Sequence, residues 1–340
     1  MNRSALIRLV VSIAISGVFL YLALSSVDLA AVGRAIADAS PVWLLLALGI
    51  VLADLGLRAL RWQLLLHGVR GAGARPGYRL TMGYLTIGFA ANFVLPARLG
   101  DVARAMLAGT AFRTPRLAIF GTIMIERLGD GLTMLALAIG SSLLVARIAE
   151  LNQLALFVVA AGAAGLVALG VAWFVLHRTA VATTRVGVLV QSIVGRVAAG
   201  AGTLTTVRGA LLILAMTWLL AGTACLVAWA VSNALGMALS PPQVVLFLSG
   251  IAMSLAIPAA PGAIGTYEFV GKTIIVTLGF SAEQGLATIL LMRLLTTVPP
   301  AIAGLISLVV LQVRPAAIVH ASEGEEPGED QAAGSGELAR

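Results

Sequence analysis

The sequence predicts an all-α polytopic membrane protein of about six full spans plus two re-entrant helical hairpins, arranged as an inverted-topology repeat. Three observations lead there. Hydrophobic residues make up 60% of the 340-residue chain, charged residues 11%, and the mean hydropathy is +1.02. Soluble domains average roughly 45 to 50% apolar and about 25% charged. Six apolar runs are long enough to cross a bilayer, and two shorter ones end in matching breaks, NFVLPARLGD at 92–101 and IPAAPGAIGTYE at 257–268.

At about 1.5 Å per residue, a helix needs about 20 apolar residues to cross roughly 30 Å of hydrocarbon. The runs at about 6–25, 42–66, 117–146, 154–176, 209–232 and 285–312 reach that length. Arg3 and Arg8 in front of the first run give it the layout of a signal peptide. Its apolar stretch exceeds the roughly 7 to 15 residues of such segments, so a retained span is expected. The runs at about 80–95 and 244–257 are too short to span comfortably and lead straight into the breaks.

Each break carries Pro-x-x-x-Gly, as Pro96 and Gly100 and again as Pro261 and Gly265, with Gly262 following the second proline. Proline removes an amide hydrogen and glycine relaxes the backbone, so polar main-chain groups are freed where lipid offers them no partner. Irregular backbone of that kind persists only where it lines a protein cavity. About thirty residues after each proline, the next long run holds an arginine followed by leucine, Arg127-Leu128 and Arg293-Leu294. Break, acid and deep arginine thus recur in both halves, as expected of an inverted repeat, an arrangement from which transporters are often built. Eight ordinary spans with proline kinks are the other arrangement compatible with the same runs.

Loop charges orient the spans. Arg3 and Arg8 place the N-terminus in the cytoplasm, as do Arg70, Arg75 and Arg79 for the loop after the second span. A hairpin at 80–95 that enters and leaves from the cytoplasm keeps Arg98, Arg104, Arg113 and Arg116 inside. The uncharged loop at 233–243 falls outside, and Arg314 returns to the cytoplasm. The expected location is the plasma (inner) membrane with both termini cytoplasmic. An integral membrane domain covers 1–319, with repeat one at about 6–146 and repeat two at about 154–312. The remaining 320–340 form an acidic tail expected to be disordered, since it has six acids against Arg340 and little apolar surface to bury. Without it the chain carries 21 basic and 9 acidic residues, a net +12. The arginines are dispersed among apolar spans and form no aromatic-interleaved basic patch, which argues for lipid phosphates and topology rather than nucleic acid. Cys225, the single cysteine, excludes an internal disulfide.

Charges inside spans are the functional candidates, because each costs about 2.5 to 3.5 kcal/mol at a helix centre on insertion scales. Glu126 and Asp130 lie four apart on one helical face with Arg127 beside them, and an internal ion pair of Glu126 or Asp130 with Arg293 is the structural alternative. Asp54, Arg58 and Arg61 form a second stripe, with Trp62 adjacent. Arg58 and Arg61 can snorkel to headgroups, and Arg61 and Trp62 read as interfacial anchors; Asp54 is set deeper, and Arg58 can pair with it across one turn. Around the first break stand Asn92, Arg98, Asp101 and Arg104. Guanidinium groups grip phosphate through paired hydrogen bonds, and a helix beginning near Gly100 adds its N-terminal amides. Around the second, Glu268 and Lys272 are again four apart, and Lys272 is the only lysine; an i,i+4 ion pair is its structural role.

The strings RALRW, NFVLPARLGDVAR, ERLGD and PGAIGTYE resemble those of the lysylphosphatidylglycerol synthase transmembrane region, also called the flippase-like family, over roughly residues 5–315. The resemblance implies a lipid-translocating domain that moves an aminoacylated phospholipid or a polyprenyl-linked glycolipid. It marks Arg61, Trp62, Asn92, Pro96, Gly100, Asp101, Arg104, Glu126, Arg127, Asp130, Pro261, Gly262, Gly265 and Glu268 as motif positions. Bifunctional members also carry a soluble aminoacyl-transferase domain, which is not in this sequence, so synthase activity does not transfer with the name.

The leading expectation is a lipid transporter. Arg98, Arg104, Arg127 and Arg293, with Asn92, offer headgroup contacts, and Asp101, Glu126, Asp130, Glu268, Asp54 and Arg58 balance charge or exchange protons. The alternatives are a membrane enzyme acting on lipid phosphates, or a scaffold for lipid- or glycan-synthesis enzymes. Against an enzyme, His67, His177 and His320 lack metal-site spacing and no nucleotide-binding, nucleophile-elbow or zinc motif is present. Membrane lipids are the expected partners, and no cofactor is expected.

Overall fold

The computed structural model describes residues 3–25, 27–69, 73, 75–95, 99–145, 195–254 and 263–313. Pro96, Arg98, Pro261, Gly262, the run at about 154–176 and the acidic tail lie outside these residues. Among those described, all regular structure is helical: α1 (Arg3–Leu24), α2 (Leu29–Ala37), α3 (Pro41–His67), α4 (Tyr78–Val94), α5 (Leu99–Ala111), α6 (Arg116–Val145), a 3-10 segment (Ala199–Thr205), α7 (Val207–Ala234), α8 (Pro241–Ser254), α9 (Thr266–Thr277) and α10 (Ala282–Val310).

α3, α7 and α10 are each long and apolar enough to cross a membrane, and α1 with α2 meets the same test as a pair bent by 75°. α6 has 30 residues, about 45 Å of helix, but carries Glu126, Arg127 and Asp130 near its middle. Large apolar side chains point outward along these helices, including Val42, Leu45, Val207, Leu211, Leu305 and Val309. Apolar surface of that extent is unsustainable in water and is what lipid contact demands. Pro299 and Pro300 sit inside α10, a placement that membrane helices tolerate.

α2 is an element for which the sequence reading made no allowance. Asp28 caps it, its carboxylate accepting from the Ala30 amide at 2.8 Å, which satisfies one orphan donor and turns the chain away from α1.

The helices flanking each break are short, with 17 residues in α4, 13 in α5, 14 in α8 and 12 in α9. All four are shorter than the roughly 30 Å hydrocarbon layer at about 1.5 Å per residue. α4 stops because Leu95 is extended, at φ −86° and ψ 139°, the conformation that a following proline enforces. α4 and α5 then pack antiparallel. Gly88 lies against Arg104, Gly100 against Asn92, and the Tyr84 and Phe112 rings meet edge to face at 5.3 Å. A Cβ on Gly100 would strike the Asn92 amide and the Gly88 carbonyl, so glycine is what allows this approach.

The second break is built similarly. Gly265 precedes α9 at φ +91°, and a Cβ there would collide with the Ser16 carbonyl of α1. α1 and α9 run alongside each other in the same direction, with Ser16 by Gly265, Phe19 by Phe269, and Ala23 by Lys272.

The chain divides into two compact units, whose boundaries fall within α3, α6, α7 and α10. One takes its described residues from 3–54, 131–145 and 221–298, the other from 55–130, 195–220 and 299–313. The first has a core around Val51, Val231, Phe247, Ile275 and Ile289; the second has one around Ala59, Trp62, Leu85, Ile119 and Ile123.

Candidate functional site

In the unit containing 55–130, four arginines and three carboxylates form one network. α5 begins at the break, and Asp101 falls in its first turn, where a carboxylate is favoured by the helix's exposed amides. The two Asp101 oxygens accept from Arg127 Nη2 at 2.9 Å and Nε at 3.1 Å, and Asn92 Nδ2 donates to Oδ1 at 3.1 Å. One turn further along α5, Arg104 donates through Nη2 to Glu126 Oε2 at 2.9 Å. Its guanidinium carbon lies 3.6 Å from the Trp62 ring centroid, a cation–π contact strengthened by burial. Trp62 is itself fixed by Nε1 donating to Thr122 at 3.0 Å. Arg61 donates through Nη1 and Nη2 to Asp130 at 2.5 and 3.2 Å and through Nη1 to Thr217 at 3.1 Å. Arg58 approaches Asp130 to 3.9 Å.

Burial is deep. Arg61 and Arg104 are 2% and 1% exposed, and Asp101 and Glu126 are buried as well. A cavity of about 10 Å³ adjoins the network, lined by Arg58, Arg61, Leu85, Phe89, Arg104, Glu126 and Arg127. It has room for about one water molecule.

In the unit containing 221–298 a smaller version appears. Glu268 occupies the first turn of α9, its Oε2 accepting from the Gly265 amide at 2.7 Å and its Oε1 facing Arg293 Nε at 2.8 Å. Arg293 lies 4.5 Å from the Tyr267 ring centroid. Lys272 donates to the Leu22 and Ala23 carbonyls, both at 2.9 Å, and so caps the C-terminal end of α1. Asp54, in the same unit, accepts from the Thr223 hydroxyl at 2.6 Å.

Each unit therefore contains a helix that starts at a break, an acid in its first turn, and an arginine from the following long helix bound to that acid. Asp101 with Arg127 and Glu268 with Arg293 are the two instances.

One sequence expectation is corrected. Arg61 and Trp62 are not surface anchors: both are buried, because Asp130 and Glu126 supply the countercharge that headgroups would otherwise give. Glu126 faces Arg104 and Arg61, Asp130 faces Arg61 and Arg58, and Arg293 faces Glu268. Sequence reasoning missed Thr217 and Thr122 altogether. Asp101, Glu126 and Asp130 each face an arginine, and among the described residues no group of three carboxylate, histidine or cysteine side chains is placed to share a metal ion.

A comparison with curated proteins finds no match. A family model described as lysylphosphatidylglycerol synthase TM region matches residues 9–304, a stretch that holds both breaks, both acid–arginine pairs and every apolar helix listed above except the ends of α1 and α10. The chain belongs to that family, and is a membrane protein of lipid-related processes.

Proposed function

We propose that this protein moves a phosphate-containing lipid, an aminoacyl-phospholipid or a polyprenyl-linked glycolipid, between the leaflets of the plasma membrane, and that it is not an enzyme. The observation that carries the reading is the network of Arg58, Arg61, Arg104 and Arg127 with Asp101, Glu126 and Asp130, in which Arg61, Arg104, Asp101 and Glu126 are buried. A scaffold gains nothing from burying four charges and half-burying three more, at a cost of several kcal/mol per unpaired buried ion, whereas a carrier of anionic headgroups needs them. The recurrence of break, first-turn acid and deep arginine supports an inverted repeat with two re-entrant hairpins, the architecture of many secondary transporters. α4, α5, α8 and α9 have lengths that suit such hairpins. A cavity of about 10 Å³ is smaller than a phosphate, so headgroup entry requires the ion pairs to part, which is the conformational step of alternating access. Arg98 and Asn92 complete the proposed headgroup contacts on the first hairpin, and Arg293 serves on the second.

The test is a leaflet-resolved assay in liposomes carrying labelled aminoacyl-phospholipid or polyprenyl-phosphate glycolipid, with the wild type compared with R127A/R293A. Protein-dependent movement that the double variant loses is expected. A monodisperse wild type that moves neither lipid overturns the proposal.

A further inference from the structure

We infer that Glu126 stands in for a phosphate group at an anion site whose fixed walls are Arg61 and Arg104, and that a phosphate entering there levers Glu126 aside. The inference deepens the transport reading, on which it rests for the source of the phosphate.

The three carboxylates of the network are held unequally. Asp101 receives two N–H groups from Arg127, and Asp130 two from Arg61. Both are saturated in the paired geometry that guanidinium and carboxylate share. Glu126 has a single hydrogen bond, from Arg104 Nη2 at 2.9 Å; Arg61 Nε stands 3.7 Å from its other oxygen, beyond hydrogen-bond reach. Correspondingly, Arg61 Nε and Arg104 Nε have no hydrogen-bond partner although both side chains are almost wholly buried. Buried donors are nearly always satisfied, so two orphans on adjacent guanidinium groups indicate an acceptor with more oxygens than Glu126 provides. A tetrahedral phosphate has them.

Position agrees with this. The water-sized cavity is lined by both arginines and Glu126, the residues that carry the two unsatisfied donors and the singly bonded carboxylate. Arg104 is held by Trp62 and Arg61 by Asp130 and Thr217, which leaves Glu126 as the group free to move.

The test uses full-length protein in maltoside micelles, which contain no phosphate, and calorimetric titration with dimethyl phosphate, with inorganic phosphate, and with mixed micelles of phosphatidylglycerol or of diacylglycerol. Wild type is expected to bind dimethyl phosphate and phosphatidylglycerol but not diacylglycerol. E126Q and E126D, the latter keeping the charge but shortening the reach, are expected to tighten phosphate binding about tenfold and about threefold; R104Q is expected to abolish it. Monodisperse E126Q or E126D with unchanged or weaker affinity overturns the inference, as does a wild type that binds no phosphate. If neither variant folds, competition by sodium acetate at constant ionic strength decides on the wild type: acetate must weaken phosphate binding, and failure to do so overturns the inference. Binding of the free anions without phosphatidylglycerol supports the site and counts against lipid as its source. Lipid movement in liposomes combined with Glu126-independent phosphate affinity leaves transport standing and removes this site.

Discussion

The Asp101–Arg127 pair permits a quantitative test through a double-mutant cycle of D101N, R127Q and the double variant. The ions meet through two hydrogen bonds of 2.9 and 3.1 Å, with Asp101 8% and Arg127 32% exposed. Two unit charges about 4 Å apart interact by about 4 kcal/mol at an effective dielectric of about 20. A third of the guanidinium is open to screening and Asn92 still donates to the carboxylate, so a coupling of about half that, roughly 2 kcal/mol, is expected. Glu268–Arg293, at 2.8 Å with 7% and 22% exposure, should give a similar value. Asp28–Arg34 is a control within the same chain, at 3.6 Å with both partners at least 60% exposed; exposed pairs are worth about 0.2 to 1 kcal/mol. Reversible unfolding in mixed micelles measures all three cycles. A coupling at Asp101–Arg127 no larger than at Asp28–Arg34 would refute the claim that burial gives this pair its strength.

Two further outcomes are expected. Gly265→Ala places an L-residue at φ +91° with its Cβ against the Ser16 carbonyl; strain of about 1 to 3 kcal/mol plus displacement of α1 predicts a loss of roughly 2 to 4 kcal/mol in the same unfolding assay. A loss below about 1 kcal/mol would show that α1 yields at little cost. Lys272→Met deletes the charged donor to the Leu22 and Ala23 carbonyls. A charge-assisted bond worth about 1.5 kcal/mol predicts roughly tenfold faster hydrogen exchange in the last turn of α1, and an unchanged rate would sink the capping role.

Sequence alone went furthest where one physical constraint acts locally. Spanning length sets α3, α7 and α10, and their ends fall within a few residues of the apolar runs. Pro96 and Gly100 announced a break, and α5 does start beside Gly100 with Asp101 in its first turn. The nine-residue α2 escaped notice because its signal is a single capping aspartate before small and apolar residues. Partner choice was the least legible. That Asp101 and Glu268 bind the arginines that follow them depends on which helices adjoin, and sequence spacing carries no record of adjacency. Arg61 was misjudged for a related reason: an arginine near a tryptophan looks interfacial until Asp130 and Thr217 are seen opposite it.

The only lysine of the chain, Lys272, is 6% exposed and seated against the end of α1. An amine-selective reagent therefore has a single side-chain target, shielded while α1 and α9 stay together. The extent of acylation at that one position, read by mass spectrometry on unmodified protein in its native membrane, becomes a built-in gauge of how often this seam opens, with no engineered label required.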